Sequence, residues 1–408
     1  MDLKSGYPFW AVKNGLMQAF PKLTREVSCD VVVVGGGITG ALIAHELGCH
    51  GHDVVVVERR DIGWGSSAAS TALLQYEIDT HLTELSEIVG EAEAVKAYRG
   101  CAQAIRDIET LAREVGDVDF DRQQSLYYAS EEEDVSSLRR EFELRRQHGF
   151  NADWLERDDI RARFGFEAPC AILTPLAARL DPYRMAYHLF ARLLAGGGRV
   201  FDRTEIVDIR PGEARVTLTT TDAISLHCRH LVMAAGYESQ PWIDQQVASN
   251  RSSYAFVTDP IAPETLGSLA STMIWESARP YLYLRSTGDG RLMVGGEDDD
   301  VDIPSRRDQK VGEKAEILVK QVKALFPDLS INPTFSWGGT FAETDDGLPF
   351  FGPHEQYGPR VHFAMAYGGN GISYSMLGAG LLRALIEERS HPLSELFSFS
   401  RGRHGAGG

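Results

Sequence analysis

The run Gly35-Gly36-Gly37-Ile38-Thr39-Gly40 constrains this chain more than any other feature, because of what stands on either side of it. Before it lies Asp30-Val31-Val32-Val33-Val34, an unbroken β-branched run of the kind buried on both faces of a parallel sheet. After it the pattern turns helical through about Leu47, and Gly51-His52-Asp53 lead into a second apolar strand over 54–57. A G-x-G-x-x-G pattern alone is a weak signal, but between a buried strand and a helix it opens a βαβ unit that binds a dinucleotide. Gly35 permits the tight turn, Gly37 lets backbone approach a pyrophosphate, and Gly40 lets helix and strand pack closely. Ile38 and Thr39 start the helix, where free N–H groups and the positive end of the helix dipole meet the phosphates. Glu58 ends the second strand eighteen positions after Gly40, placed to accept hydrogen bonds from both hydroxyls of an adenosine ribose. Arg59 and Arg60 would suit a 2′-phosphate, but Glu58 repels one, so NADP is disfavoured.

Composition narrows the class further. A chain of 408 residues has room for two or three domains and a full-sized core. With 41 Lys+Arg against 58 Asp+Glu, the net charge of -17 repels phosphates, which excludes nucleic acid and anionic membrane as partners. The five cysteines, Cys29, Cys49, Cys101, Cys170 and Cys228, show no C-x-x-C spacing, as expected of a reducing compartment. The first residues lack the basic segment and apolar run of a secretory signal, and no stretch reaches the ~18 apolar residues that span a bilayer. These features predict a cytoplasmic protein. The acidic runs 131–134 and 297–300 read as solvated, and no metal is implied.

Along the chain, an aromatic leader holding Tyr7, Phe9, Trp10 and Phe20 precedes the first strand. Helical spacing predicts two helices over 82–115, then helices over 131–148, 182–195, 310–325 and 373–388. Strands are predicted over 125–129, 205–209, 215–220 and 230–234, followed by an antiparallel set at 254–257, 281–284 and 291–294. Two more are expected near 334–337 and 361–366, with a disordered tail over 401–408. Gly196-Gly197-Gly198 reads as the turn that ends a helix, not as a second nucleotide site.

The fingerprint does not separate FAD from NAD. Asp61-Ile62-Gly63-Trp64-Gly65-Ser66-Ser67-Ala68-Ala69-Ser70-Thr71, just after Glu58, resembles the flavin-side loop of the D-amino acid oxidase superfamily. That group includes glycine, sarcosine and γ-glutamylputrescine oxidases. The likeness runs on through Leu180-Asp181-Pro182-Tyr183-Arg184 and Leu231-Val232-Met233-Ala234-Ala235-Gly236. It ends in Asp346-Gly347-Leu348-Pro349-Phe350-Phe351-Gly352 and Tyr367-Gly368-Gly369-Asn370-Gly371-Ile372-Ser373. The resemblance implies an α/β fold, with a Rossmann-type FAD-binding domain and a second substrate domain built on an antiparallel sheet. It divides the chain into a discontinuous FAD domain at 28–80, 150–240 and 333–390 and a substrate domain at 81–149 and 241–332. A leader over 1–27 and a tail over 391–408 flank them.

The same resemblance assigns Arg59, Gly65, Ser66, Ser67, Thr71 and Ala72 to the cofactor, with Val207 meeting the adenine through its backbone and Ala235 and Gly236 packing along the ADP half. Gly369, Asn370, Gly371, Ile372 and Ser373 would bring a helix N-terminus to the flavin pyrimidine, where negative charge grows on reduction. FAD is expected to be non-covalent, because no cysteine lies near the late motif and Ala68 stands where some relatives carry a tethering histidine.

For chemistry, the resemblance implies that a C–H bond beside a substrate nitrogen gives hydride to flavin N5, leaving an imine that water hydrolyses. Relatives that oxidise free amino acids grip the carboxylate with arginine, whose planar guanidinium makes two charge-assisted bonds. Here the two matching positions are Phe341 and Gly369, so Arg285 is the remaining candidate anchor. Tyr254, Tyr281, Tyr283 and Tyr367 lie on segments that line the pocket in relatives, and each is equally suited to core packing. Met293 stands where oxygen-using relatives carry a lysine, which points away from oxygen as the natural acceptor. The expected activity is FAD-dependent oxidation of an amine or amino acid derivative. A single-Rossmann NAD-dependent dehydrogenase and a flavin-binding subunit of a larger complex are the alternatives.

Overall fold

The computed structural model describes residues 2–300 and 302–401. The fold rests on two sheets. In the eight-stranded one, Val27–Val34 lies between Val54–Val57 and Ser225–Met233, all parallel. Arg199–Phe201 extends it beyond Val54–Val57, and Val361–Met365 extends it beyond Ser225–Met233, again in parallel. Val54, Val55, Val56 and Val57 are all fully buried, which is why this strand carries no polar face. Helices Ile38–Cys49, Pro182–Ala195 and Gly371–Ile386 pack side by side on it. The expected helix over 182–195 matches Pro182–Ala195 to the residue, since Asp181 caps it through the Arg184 amide and Pro182 fits its first turn.

The second sheet has ten strands, and all its pairings are antiparallel except that of Thr272–Glu276 with Asp121–Tyr128. Its longest pairing joins Ser249–Thr258 to Pro333–Glu343, near the edge that the leader strand closes. The expected domain boundaries do not follow the sheets. Cys170–Arg179, a strand that hydrophobic alternation did not disclose, and Pro333–Glu343 both pair within the ten-stranded sheet. The leader is built in as well: Lys4–Gly6 pairs with Trp337 to Gly339, and Trp10 is fully buried with its indole N–H donating to the Ser70 carbonyl.

The chain after 390 also belongs to the fold. Phe397 is buried, its carbonyl accepts from the Phe351 amide, and Arg401 donates to both oxygens of Asp346. The disorder expected from 401 therefore does not hold at Arg401, and 402–408 lie outside the described residues.

Candidate active site

One long cavity runs from the end of Val54–Val57, across the mouth of the glycine turn, and into the space between the two sheets. Its first part is built by the turn. Gly35 has φ +123°, and a side chain there would meet the Ala234 carbonyl at 2.2 Å. Gly40 does not line the cavity: a Cβ on it would fall 1.9 Å from the Gly35 carbonyl, so its lack of a side chain is what lets the turn close. Gly37, Ile38 and Thr39 line the opening at the helix N-terminus, which no side chain caps. Ser67 Oγ accepts from the Ile38 amide at 2.8 Å and ties the following loop to this turn.

Glu58 lies at the same end. Its two carboxylate oxygens accept the Gly36 and Arg60 amides, each at 2.8 Å. Burial pushes its carboxyl upward, and those two amides pull it back. Arg59 and Arg60 both line the cavity and both pair with Glu238. Val207, expected to meet the adenine through its backbone, is 52 % exposed and does not line the cavity, whereas Thr204, Glu205 and Ile206 just before it do.

Along the middle, Gly65, Ser66, Ser67, Thr71 and Ala72 face Ala235, Gly236 and the run Gly369 to Ser373. The helix Gly371–Ile386 opens on the cavity without a side-chain cap, because the Asn370 amide group donates instead to the Gln75 and Glu77 carbonyls. Ser66 Oγ, Ser373 Oγ and Gln75 Oε1 are buried in this wall with no hydrogen-bond partner. Two uncapped helix ends and three orphaned polar atoms along one trough fit a long ligand with an anionic centre and a polar ring.

The far part is aromatic and acidic. Trp275, Tyr281, Tyr283, Tyr237, Trp337 and Phe341 line it together with Asp79 and Asp298. Trp275 stacks on Tyr127 with ring centroids 3.9 Å apart, and Tyr281 lies 5.5 Å from Tyr283. Burial raises the phenols of Tyr237, Tyr281 and Tyr283, which keeps them protonated. Tyr254 contributes to the wall, but its hydroxyl is held by Asp299 at 2.8 Å.

Two expected substrate contacts are not at this surface. Tyr367 is buried behind Tyr237, its ring centroid 5.5 Å away and its hydroxyl donating to the Gly236 carbonyl. Arg285 is fully buried off the cavity, and its guanidinium donates to the carbonyls of Thr71, Ser286 and Leu180. It holds the flavin-side loop to the ten-stranded sheet. Met293 is likewise buried off the cavity.

Asp298 and Asp79 escaped sequence reasoning. The run 297–300 reads as solvated, yet Gly296 pairs with Tyr254 and Asp299 with Ser252, so Glu297 and Asp298 oppose the single residue Ser253. Glu297 takes φ +57° in this bulge, the alternation breaks, and Asp298 turns into the cavity.

A dinucleotide turn, an uncapped second helix and an aromatic, acidic chamber on one trough define a flavin-dependent oxidoreductase. The model of the FAD dependent oxidoreductase (DAO) family matches residues 30–385, and the chain belongs to that family. The cofactor is therefore FAD rather than a nicotinamide dinucleotide. The chain is 27% identical to glycine oxidase of Geobacillus kaustophilus over 384 residues, covering 92% of this chain and 97% of that one. It is 24% identical to gamma-glutamylputrescine oxidoreductase of Escherichia coli over 390 residues, covering 93% and 88%. Among solved structures, glycine oxidase from Geobacillus kaustophilus superposes with a TM-score of 0.78 at 21% identity, over 92% of this chain and 99% of that one.

Proposed function

We propose that this chain oxidises the carbon–nitrogen bond of an amine, or of an amino acid whose α-carboxylate is not the recognised group. The observation that carries the reading is the charge of the cavity lining: its basic side chains are Arg59 and Arg60, both at the Glu58 end and paired with Glu238. Phe341 and Gly369 line the chamber at the positions where the resemblance would put carboxylate-gripping arginines, and Arg285 is turned to backbone carbonyls. A carboxylate drawn into this chamber would meet no cation, whereas an ammonium group would meet two carboxylates.

Bound FAD supplies the two-electron acceptor. The chain's own part is to hold it by the glycine turn, Glu58 and the Gly371–Ile386 helix end, and to orient an amine between aromatic walls that exclude water. Met293, where the resemblance would place an oxygen-activating lysine, supports an acceptor other than oxygen. No helix among the described residues is long and apolar enough to cross a membrane, and the five free cysteines support a cytoplasmic location. An anaerobic screen that follows flavin bleaching across amines, amino acids and N-methyl compounds tests the activity. Amines should bleach the flavin, and failure of every amine would reject it.

A further inference from the structure

Building on the amine reading, we propose that the substrate carries two cationic nitrogens, as a diamine or polyamine does, and that Asp79 and Asp298 are the two ammonium anchors of one chamber. The case begins with Asp298. Its Oδ1 is sealed from solvent and has no hydrogen-bond partner, although the residue lines the cavity. Buried polar atoms are rarely left unpaired, and a carboxylate oxygen is the costliest to leave so. An N–H donor from a ligand would satisfy it.

Asp79 makes the second pole. Its Oδ2 accepts the Gly369 amide at 2.8 Å, and the residue lines the same chamber. Burial is what chiefly raises the Tyr281 phenol and the Asp298 carboxyl; both carboxylates add to the first, and Asp79 adds to the second. Glu343 adds to that pressure, Ser253 relieves it by hydrogen bonding, and Arg279 relieves it from an exposed position over the Tyr281 ring, 4.4 Å from its centroid. Neither Arg279 nor Glu343 lines the chamber.

A single ammonium would pair with one carboxylate and leave the other without a cation in the chamber. A second cationic nitrogen balances both. The walls suit the rest of such a molecule, since Trp275, Tyr281 and Tyr283 line the chamber and give its methylenes apolar ring surface to pack against.

The test measures binding apart from turnover. The holoenzyme, its flavin first reduced with dithionite so that it takes no further electrons, is titrated anaerobically by calorimetry with α,ω-diamines from diaminopropane to diaminooctane, each against the monoamine of equal carbon number, at a pH above 7. The best diamine should bind about 10-fold or more tighter than its monoamine, as expected for one additional charge-assisted contact. Asp298→Asn should bring the two affinities together, and Asp79→Asn should do the same, with FAD content confirmed from the flavin spectrum of each variant. Equal affinities in the wild type, or a diamine preference surviving both substitutions, would overturn the proposal. Flavin bleaching in parallel separates the two readings. If monoamines and diamines bleach equally and bind equally, the dication is rejected and amine oxidation stands; if neither bleaches, amine oxidation is rejected while the binding comparison still decides the anchors.

Discussion

The Gly369 amide donates to Asp79 Oδ2 at 2.8 Å, so the position where the family resemblance would put a carboxylate-gripping arginine here supports an anion. A Cβ on Gly369 would stand 2.7 Å from both Asp79 oxygens, closer than a side chain tolerates. Gly369→Ala should therefore displace the Asp79 carboxylate and weaken amine binding. Loss of a charge-assisted contact of about 1.5 kcal/mol corresponds to roughly 10-fold in KM. Steady-state kinetics with FAD saturating checks this, and an unchanged KM would remove Asp79 from the binding surface.

Glu58 bonds two backbone amides across the glycine turn, so it shapes the turn as well as facing the trough. Replacing it with Ala should loosen FAD by about 1.5 to 3 kcal/mol, roughly 10- to 100-fold in Kd, while the apoprotein stays folded. Fluorescence titration of apoprotein with FAD measures the change. Glu58→Gln should recover part of it by keeping one acceptor.

FAD should be released on acid precipitation. Neither a cysteine nor a histidine lines the cavity among the described residues, so those two tethering side chains are absent from its wall. Yellow colour in the supernatant is the expected result, and colour in the pellet would show a covalent bond.

How much of this was legible depended on whether the signal was local. The glycine turn, Glu58 and the loop around Ser66 and Ser67 are contiguous in sequence, and the cavity forms where they lie. Helix 182–195 was readable because Asp181 and Pro182 are local start signals. By contrast, Asp298 enters the chamber through a bulge whose existence depends on its pairing with Ser249–Thr258. Asp79 matters because Gly369, 290 positions away, donates to it. Arg285 misled for the same reason: an arginine in a strand reads alike whether it meets a ligand or the carbonyls of Thr71 and Leu180.

The Asp298 carboxyl is pushed up to about 6, first by burial and then by Glu343 and Asp79, against the Ser253 hydrogen bond. A carboxyl raised in the folded state favours folding while protonated, and that contribution is lost as pH rises from the ordinary carboxylate range through about 6. Ligand-free Asp298→Asn should therefore be more stable than wild type above pH 7, by on the order of 2 kcal/mol, with the gap closing below about pH 5. Urea unfolding at both pH values reads this directly. The preference for diamines should run the opposite way, present above about pH 6 and fading below it in wild type.

The last prediction separates Arg285 from substrate choice. Its guanidinium is fully buried, its pKa is lowered by burial to about 9, and its three hydrogen bonds end on the carbonyls of Thr71, Ser286 and Leu180. Arg285→Ala would leave those carbonyls without their donor, at about 1 to 3 kcal/mol for each buried acceptor left unsatisfied. The variant should unfold at clearly lower urea and retain FAD more weakly, because Thr71 belongs to the flavin-side loop. Selectivity should not move. Comparing anaerobic reduction by matched pairs, each an amino acid and its decarboxylated amine, wild type should favour the amine and Arg285→Ala should keep the same ratio. Faster reduction by the amino acids in wild type, lost in the variant, would show that Arg285 swings into the chamber as a carboxylate anchor and would reject the amine reading of this site.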